Sequence, residues 1–412
     1  MKEPGKTAWG KYFFYPVAET DGWDQRKAVR VNHPVNFPTA TKSSVTEEAI
    51  PPLRSRVTAV VAVAATYAYF LMFAQFGLLH AMGEVLGANH DWLRPAMAVM
   101  GGAGIAGSVA MGWAYHEQRR RGLMGAGYLV AGFAAVLVIV VRTPGAFLVV
   151  AGLTGGATGW LTVGLAAQLV RETGGRQLGL CLGIGTGLAY ALCNLPPVFA
   201  GDAKTQAMVG LGAAAVGWRA VRAFAQPGEP EGATGFDYSV RGGVLWILLL
   251  LALVAFDSAA FYLIQHTPEL KAVTWTGGAQ LVANAGVHLI AGVVAGFALN
   301  LRRVAGVALV AMAGLLGAVV LMGRGLGSPG ALLYAAAVSG YSTLLVYYPA
   351  RSGRVQWAVL VYAVAGWIGS ALGIGLAENL RNVPVAMMFA LGLLVVGLLG
   401  VRRRLMSGPR VQ

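Results

Sequence analysis

The sequence predicts an all-α polytopic membrane protein, with twelve transmembrane helices in two parallel six-helix repeats (6+6) preceded by a cytosolic N-terminal tail. Three observations lead to this prediction: long apolar runs without charge, basic residues concentrated in alternate loops, and sequence features that recur half a chain apart. The composition agrees, because 57% of the residues are hydrophobic and 12% are charged, whereas about a quarter of an average soluble domain is charged.

Ten runs of the chain contain no Lys, Arg, Asp or Glu, and each is long enough to cross roughly 30 Å of hydrocarbon as an α-helix. Two further segments complete the twelve: 242–268, which Asp257 alone interrupts, and 205–225, where Arg219 and Arg222 can extend to the lipid headgroups. Gly and Ala are frequent in these segments, which indicates close helix packing. In chain order the uncharged runs are 57–83, 95–116, 122–141, 143–170, 177–201, 272–301, 304–323, 325–350, 355–377 and 382–401.

The distribution of basic residues predicts the orientation. With the N-terminus in the cytosol, all but six of the 31 Lys and Arg residues fall on the inner side, so the positive-inside rule is satisfied. We therefore expect a multi-pass protein of the cytoplasmic (inner) membrane with both termini in the cytosol. The net charge of +14 then follows from the topology, and binding to nucleic acid is not expected. The six exceptions are Arg94, Arg142, Lys204, Lys271, Arg324 and Arg381.

The predicted helices and loops divide the chain into five parts. They are a cytosolic N-terminal tail (1–53), a first six-helix bundle (54–221), a cytosolic inter-bundle loop (222–243), a second six-helix bundle (244–405) and a cytosolic C-terminal tail (406–412). The N-terminal tail contains Trp9 and "YFFYP" at 12–16. Ordering such a tail costs conformational entropy unless its rings find a surface. It is therefore either a disordered leader or a segment that docks on the inner loops or on a partner subunit.

An internal repeat relates the two predicted bundles. The segment "AGSVAMGWA" at 106–114 matches "AGVVAGFA" at 291–298, and "FGLLH" ending at His80 matches "FYLIQH" ending at His266. The offsets are 185 and 186 residues, and this distance spans six helices, so both halves have the same orientation. Parallel repeats of this kind place a substrate site at the interface of the halves, near the middle of the membrane.

Over about residues 54 to 405 the chain resembles the major facilitator superfamily. The resemblance rests on the 6+6 architecture, the longer inner loop between the halves and the loop "GWAYHEQRRR" at 112–121. That loop in the family tends to read G-x-x-x-D-[RK]-x-G-[RK]-[RK], so here His116 replaces the acid, and Asn300 replaces it in the second half. The resemblance implies an inner-loop gating motif formed by Gly112, His116, Arg120, Arg121, Asn300 and Arg302.

Asp257 is the most informative single residue, because it lies near the middle of the seventh predicted helix. A charge at that depth costs about 2.5 to 3.5 kcal/mol on insertion scales, so the side chain is expected to face a cavity or a partner. His288, midway along the eighth predicted helix, is a candidate partner. Aligning the halves places Met72 opposite Asp257 and Ala103 opposite His288, so both ionisable groups occur in the second half alone. We predict that Asp257 and His288 couple protons or bind substrate; the alternative is structural hydrogen bonding.

Further candidate site residues are uncharged or carry thioether or imidazole groups, and they lie on several of the predicted helices. Amide, phenol and thioether side chains can contact a solute in the cavity, although the amides and phenols are equally explicable as hydrogen bonds between helices. Thioethers and imidazole suit Cu(I), although Met is also ordinary apolar filler. The predicted cavity residues are Met72, Gln75, Tyr262, Gln280, Asn284 and Tyr341. The candidate metal ligands are His80, Met82, Met97 and Met100.

These features predict a secondary active transporter that moves a small solute by alternating access and is coupled to protons through Asp257, with symport as the expected mode. The expected partners are the solute, protons and the lipid bilayer, and no cofactor is expected. An enzyme is not expected, because the acids predicted to lie outside are scattered singly and no Ser/His/Asp set is present. Two alternatives remain open: a structural or assembly subunit of a larger membrane complex, bound through the N-terminal tail, and a copper-type importer that uses Met and His.

Overall fold

The computed structural model describes residues 51–87, 91–224 and 240–380, without the side chains of 240, 241 and 378–380, and the single residues Gly392, Gly397 and Gly400. In this part of the chain the regular secondary structure is entirely helical, which confirms the all-α prediction. The predicted N-terminal tail up to residue 50, most of the inter-bundle loop, nearly all of the last predicted helix (382–401) and the C-terminal tail lie outside the described residues.

The described chain forms eleven principal helical segments, here labelled α1 to α11. Most bounds agree with the uncharged runs to within a few residues. In chain order the segments are α1 Leu53–Leu86, α2 Leu93–Ala114, α3 Arg120–Val140, α4 Pro144–Thr173, α5 Leu178–Cys193, α6 Ala203–Arg222, α7 Val240–His266, α8 Gly278–Asn300, α9 Val304–Gly323, α10 Gly327–Ser352 and α11 Val355–Leu380. Short helices at Glu117–Arg119, Pro196–Phe199 and Pro268–Trp275 lie in the connections.

Among the described residues, nine helices are long and apolar enough to cross a membrane, and α5 and α6 are the two segments that fall short. The chain is therefore a multi-pass membrane protein. The run 177–201 predicts one long helix, but α5 ends at Cys193, because Pro196 and Pro197 lack backbone donors and hold Leu195 in an extended conformation.

α6 begins at Ala203, where the weak predicted helix 205–225 was expected. Asp202 caps it, because its side chain accepts a 2.8 Å hydrogen bond from the backbone N–H of Thr205. Hydrogen bonding to the Thr205 side chain, and then to its backbone N–H, lowers the pKa of the Asp202 carboxyl, which favours the charged cap.

Two membrane helices contain π-helical turns. In α1 the stretch Tyr69–Gly77 is π-helical, and in α11 the stretch is Val361–Ile368. A π turn makes i→i+5 hydrogen bonds, which widens the helix locally and turns the following side chains away from the regular α register; such turns are frequent at functional sites. Both stretches contribute side chains to the cavity described below.

Glycine permits the closest helix contacts. A Cβ atom at Gly155 or Gly159 of α4 would collide with the carbonyl oxygens of Met100 and Gly104 on α2. Between the halves, a Cβ atom at Gly292 of α8 would lie 2.6 Å from the carbonyl oxygen of Gly183 on α5. Backbones this close gain dispersion contacts that larger residues would prevent.

The packing order is similar in the two halves of the described chain. In the first half α1 packs on α5 and α6, while α4 packs on both α2 and α3. In the second half α7 packs on α11, while α10 packs on both α8 and α9. Across the halves α5 contacts α8, α2 contacts α11 and α4 contacts α10. These contacts join the two groups of helices, and the cavity described below is lined by helices of both groups.

Candidate functional site

A cavity of about 250 Å³ lies between the two halves, and α1, α2, α4, α5, α7, α8, α10 and α11 all contribute to its wall. Its lining is mainly apolar, with many rings and few ionisable groups. The aromatic lining residues are Tyr67, Phe70, Phe76, Tyr190, Phe199, Phe261, Trp275, Tyr334, Tyr341, Tyr362 and Trp367. Parallel repeats are expected to place a substrate site at such an interface.

Asp257 is in the wall of this cavity, and two phenols from α10 hold its carboxylate. The Tyr334 hydroxyl donates to Oδ1 at 2.8 Å, and the Tyr341 hydroxyl donates to Oδ2. Tyr334 and Tyr341 are seven residues apart, which is about two helical turns, so they lie on one face of α10. A carboxylate accepts about four hydrogen bonds. Each oxygen thus has acceptor capacity beyond its phenol.

His288 lies in the same wall but has different partners. Its Nδ1 atom is 2.8 Å from the Ser339 hydroxyl, and its ring stacks on Tyr190 with centroids 4.6 Å apart. The Tyr190 hydroxyl is in turn 2.9 Å from the Ser342 hydroxyl. In the described structure the side chains of His288 and Asp257, which the sequence offers as candidate partners, are each bound to hydroxyls on α10.

The predicted cavity residues divide into two groups. Gln75 and Tyr341 line the cavity, whereas Met72 is completely buried in the helix packing and is not among the described lining residues. Tyr262 is also absent from the described lining, and its ring stacks on His266 at 4.0 Å. Met72 lies inside the π-helical stretch of α1, whereas Asp257, which the repeat alignment sets opposite it, lies in a regular α-helix.

Gln280 and Asn284 connect helices and do not line the cavity in the described structure. The Gln280 amide donates to Asn284 Oδ1 at 3.0 Å, and the Asn284 amide donates to the Thr274 carbonyl at 2.8 Å. Ser328 at the start of α10 donates to Gln280 Oε1 at 2.9 Å. In the described structure both amides therefore make hydrogen bonds within the protein, which is the alternative to solute contact given above.

The candidate metal ligands are not brought together. Met97 and Met100 line the cavity, while Met82 is completely buried and not among the lining residues. His80 instead contacts Glu84 at 3.3 Å and Gln206 at 3.3 Å. Within the described residues there is no group of three or more His, Cys, Asp or Glu side chains that could hold a metal ion.

One residue of the predicted gating motif, Arg120, belongs to an ionic cluster at the end of the molecule predicted to be cytosolic. Arg120 is almost fully buried, 3.4 Å from Glu117 and 3.9 Å from the buried Glu172. Arg171 forms an ion pair with Glu117, and Ser55 at the start of α1 donates to Glu172 at 2.5 Å. Glu117 and Glu172 thus supply the acids of this cluster, although the family's acid position is occupied by His116.

The remaining motif positions occupy the same end. A Cβ atom at Gly112 would lie 2.5 Å from Val359 of α11, so glycine permits this approach. Arg121 donates to the carbonyl of Phe224 after α6. His116 is extended at the start of the short helix Glu117–Arg119.

In the second half, Asn300 accepts a 3.3 Å hydrogen bond from the backbone N–H of Leu180 on α5, which joins the halves. Arg302 has a left-handed φ of 59° where the chain turns after α8. Burial raises the pKa of the Tyr115 phenol, which therefore remains a hydrogen-bond donor to Glu117 at 3.1 Å.

At the opposite end of the cavity, four aromatic rings form a continuous cluster between the halves. Phe76 of α1 contacts Phe199 and Phe261, with ring centroids 5.5 and 5.7 Å apart. Trp275 contacts Phe261 at 5.2 Å and Phe199 at 6.2 Å. Because Phe76 and Phe199 belong to the first half and Phe261 and Trp275 to the second, this aromatic cluster joins the halves.

Several of these residues could not be singled out from the sequence. Tyr190, Tyr334 and Ser342 contact the two ionisable groups, yet each is one of many Tyr or Ser residues in apolar helices. The spacing of Tyr334 and Tyr341 on one face of α10 is the signal that indicates a polar stripe.

No protein-family model matches the chain, and no curated protein matches it significantly. Solved structures do match it. The crystal structure of the human organic anion transporter MFSD10 (TETRAN) is 16% identical, with a TM-score of 0.57 over 84% of this chain and 99% of that chain. The proton:xylose symporter XylE, bound to 6-bromo-6-deoxy-D-glucose, is 12% identical, with a TM-score of 0.62 over 85% of this chain and 95% of that chain.

Both of these proteins are transporters and neither is an enzyme. At these sequence identities the similarity establishes the fold alone. It extends over most of each chain. The chain therefore has the fold of the major facilitator superfamily, as its sequence predicts.

Proposed function

We propose that this chain is a secondary active transporter that moves a small solute across the cytoplasmic (inner) membrane by alternating access. The observation that carries the proposal is the cavity between the halves, with Asp257 in its wall. The two named structural neighbours are transporters of the same fold, which supports this class of function.

The proposed architecture is twelve transmembrane helices in two six-helix repeats with both termini in the cytosol. The similar packing order of the two described halves supports the repeat. The uncharged run 382–401 supplies the twelfth helix, and the concentration of basic residues in alternate loops supports the orientation.

Proton coupling is assigned to Asp257. Among the described lining residues it is the one carboxylate, and its partners there are the neutral phenols Tyr334 and Tyr341. An intramembrane charge without a protein counter-ion is expensive, so a proton or a ligand is needed to neutralise it. His288 in the same wall is assigned a secondary role in solute contact.

Alternating access requires that contacts at the two ends break in turn. At the predicted outer end the candidate is the aromatic cluster of Phe76, Phe199, Phe261 and Trp275. At the predicted inner end Arg351 of α10 donates to the carbonyl of Gly175 after α4. The contact between α5 and α8 can serve as the axis, because its glycines permit one backbone to move over the other.

The substitution Asp257→Asn tests the coupling role. The full-length protein is reconstituted into liposomes with a pH gradient, and uptake is measured for labelled glucose, succinate, dialanine and phenyltrimethylammonium. We expect the variant to fold and insert normally, lose gradient-driven uptake and retain exchange of an uncharged or anionic solute, because it keeps the shape of Asp257 without the titratable group. The matched control is Glu269→Gln, which removes an exposed carboxylate. Unchanged gradient-driven uptake by Asp257→Asn would eliminate the coupling role.

A further inference from the structure

We propose that the cavity selects small organic cations with an aromatic or apolar body, and that Asp257 binds their positive charge. This inference rests on the proposed transport function and names its substrate class. It is carried by the charge of the cavity, the free acceptor capacity of the Asp257 carboxylate and the aromatic character of the wall.

The first step is the charge of the cavity wall. Among the described residues that line it, Asp257 is the one acid and there is no Lys or Arg. His288, a weak base, is the remaining basic side chain in the described lining, and its Nδ1 atom is 2.8 Å from the Ser339 hydroxyl. An anionic solute would meet a carboxylate in a site of low dielectric, where like charges repel strongly. A cationic solute would supply the counter-ion that the described wall lacks.

The second step is the geometry at the carboxylate. Tyr334 and Tyr341 both donate from α10, one to each oxygen of Asp257, and so fix the plane of the carboxylate. Each oxygen keeps acceptor capacity for an ammonium N–H or for close approach of a quaternary nitrogen. The carboxylate is thus oriented by neutral donors and not neutralised by them.

The third step is the character of the rest of the wall. Tyr67 and Tyr190 have ring centroids 6.4 Å apart, and Tyr362 and Trp367 line the cavity from the π-helical stretch of α11. Aromatic faces attract cations through their quadrupole, and aromatic cages are the usual protein sites for quaternary ammonium groups. The rings therefore complement both the charge and the apolar body of such a solute.

A neutral sugar suits this wall less well, because much of its hydrogen-bonding capacity is used within the protein. Thr158 and Thr162 each donate to a backbone carbonyl of α4, and the Asn194 amide donates to the Tyr190 carbonyl. Ser258 and Ser370 bind each other at 2.8 Å. A ligand rich in hydroxyls would leave many of its own polar groups without partners.

The volume limits the size of the solute. At about 250 Å³ the cavity is smaller than the roughly 300–1,000 Å³ that is typical of pockets for drug-sized ligands. A cation with one aromatic ring is therefore a suitable probe. Because one carboxylate cannot hold a proton and a cation at once, such a solute would move in exchange for a proton, whereas the sequence-based expectation is symport.

The test is equilibrium binding to the full-length protein in lipid nanodiscs without any gradient. Phenyltrimethylammonium is titrated by calorimetry, and its displacement is measured with tert-butylbenzene, which has the same shape without charge, and with benzenesulfonate, an anion of similar size. We expect the cation to bind at least about tenfold more tightly than either competitor. Asp257→Asn should lower the affinity for the cation by at least about tenfold and leave the affinity for tert-butylbenzene unchanged.

Controls separate a binding role from a structural one. Asp257→Glu keeps the charge and should bind the cation more tightly than Asp257→Asn. Glu269→Gln should bind the cation with the same affinity as the wild type. Equal affinity for the cation and its neutral isostere, preference for the anion, or full cation binding by Asp257→Asn would each overturn the proposal. If Asp257→Asn does not fold, the comparison of the three probes on the wild-type protein decides.

Binding and uptake measurements together distinguish a failure of the proposed cation site from a failure of the proposed transport function. Cation binding that depends on Asp257, without uptake by liposomes, would support the cation site and contradict the transport function. Gradient-driven uptake of another solute, without cation binding, would overturn the cation site and leave the transport function intact.

Discussion

At the scale of single residues, the Asp257 carboxylate depends on two phenols that belong to another helix. Tyr341 donates to one oxygen and Tyr334 to the other. Hydrogen bonds to charged groups contribute about 1.5–3 kcal/mol to stability. This contact therefore fixes α7 against α10 as well as orienting the carboxylate toward the cavity.

Removal of one phenol should destabilise the protein measurably. We expect Tyr341→Phe to lower the free energy of unfolding by about 1–3 kcal/mol, because one carboxylate oxygen loses its donor. The measurement is denaturant unfolding in detergent. Tyr67→Phe is the matched control, because the Tyr67 hydroxyl also faces the cavity but makes a long 3.4 Å contact with a neutral carbonyl. Equal losses for the two variants would contradict the assignment.

The sequence could identify Asp257 because a single acid in a long apolar run is conspicuous. Its partners could not be identified, because a tyrosine in a membrane helix is common and its contacts depend on how two distant segments pack. The π turns are likewise not predicted by hydropathy, and Met72 lies within one of them. Hydropathy thus locates the helices, while their faces require the tertiary structure.

At the scale of helices, close contact between α5 and α8 joins the two halves through glycine. Gly292 meets the backbone of Gly183 and Gly187, and Gly296 meets Gly179. Nearer the start of α8, Gly286 is exposed, and a Cβ atom there would have no neighbour within 4 Å. One helix therefore provides both a crowded and an open glycine.

Addition of a single methyl group at these two glycines should have different effects. We expect Gly292→Ala to lower the free energy of unfolding by about 1–3 kcal/mol, because overpacking forces the two backbones apart. Gly286→Ala should leave it unchanged or raise it by up to about 1 kcal/mol, since Ala favours the helix. Thermal unfolding of both variants in the same detergent distinguishes these outcomes, and equal midpoints would refute the close contact.

At the scale of the whole molecule, the two ends of the cavity differ in chemistry. The predicted inner end has ionic and polar contacts around Arg120, Glu172 and Arg351, whereas the predicted outer end has the aromatic cluster. Cys193 lines the cavity and is almost fully buried, so its thiol can report when the cavity opens.

Weakening of the aromatic cluster should expose this thiol. In a Cys181→Ser background, which leaves Cys193 as the single cysteine, we expect Trp275→Ala to react several-fold faster with a trimethylammonium methanethiosulfonate reagent. Trp113→Ala should react at the parent rate, because Trp113 is 79% exposed at the end of α2. Reaction is followed by the mass of the labelled protein. An unchanged rate in Trp275→Ala would show that the rings do not control access.

The π-helical stretches of α1 and α11 have a consequence for how this cavity can change during evolution. A π turn holds one more residue than an α turn, so deletion of one residue within Tyr69–Gly77 would restore the regular register. The helix beyond the stretch, including Leu79 of the wall, would keep its orientation, while the side chains within the stretch, including Phe70 and Gln75 of the wall, would shift relative to the cavity. The membrane span would be almost the same length, yet the wall would present different residues. A single-codon deletion could thus alter specificity while the fold is retained.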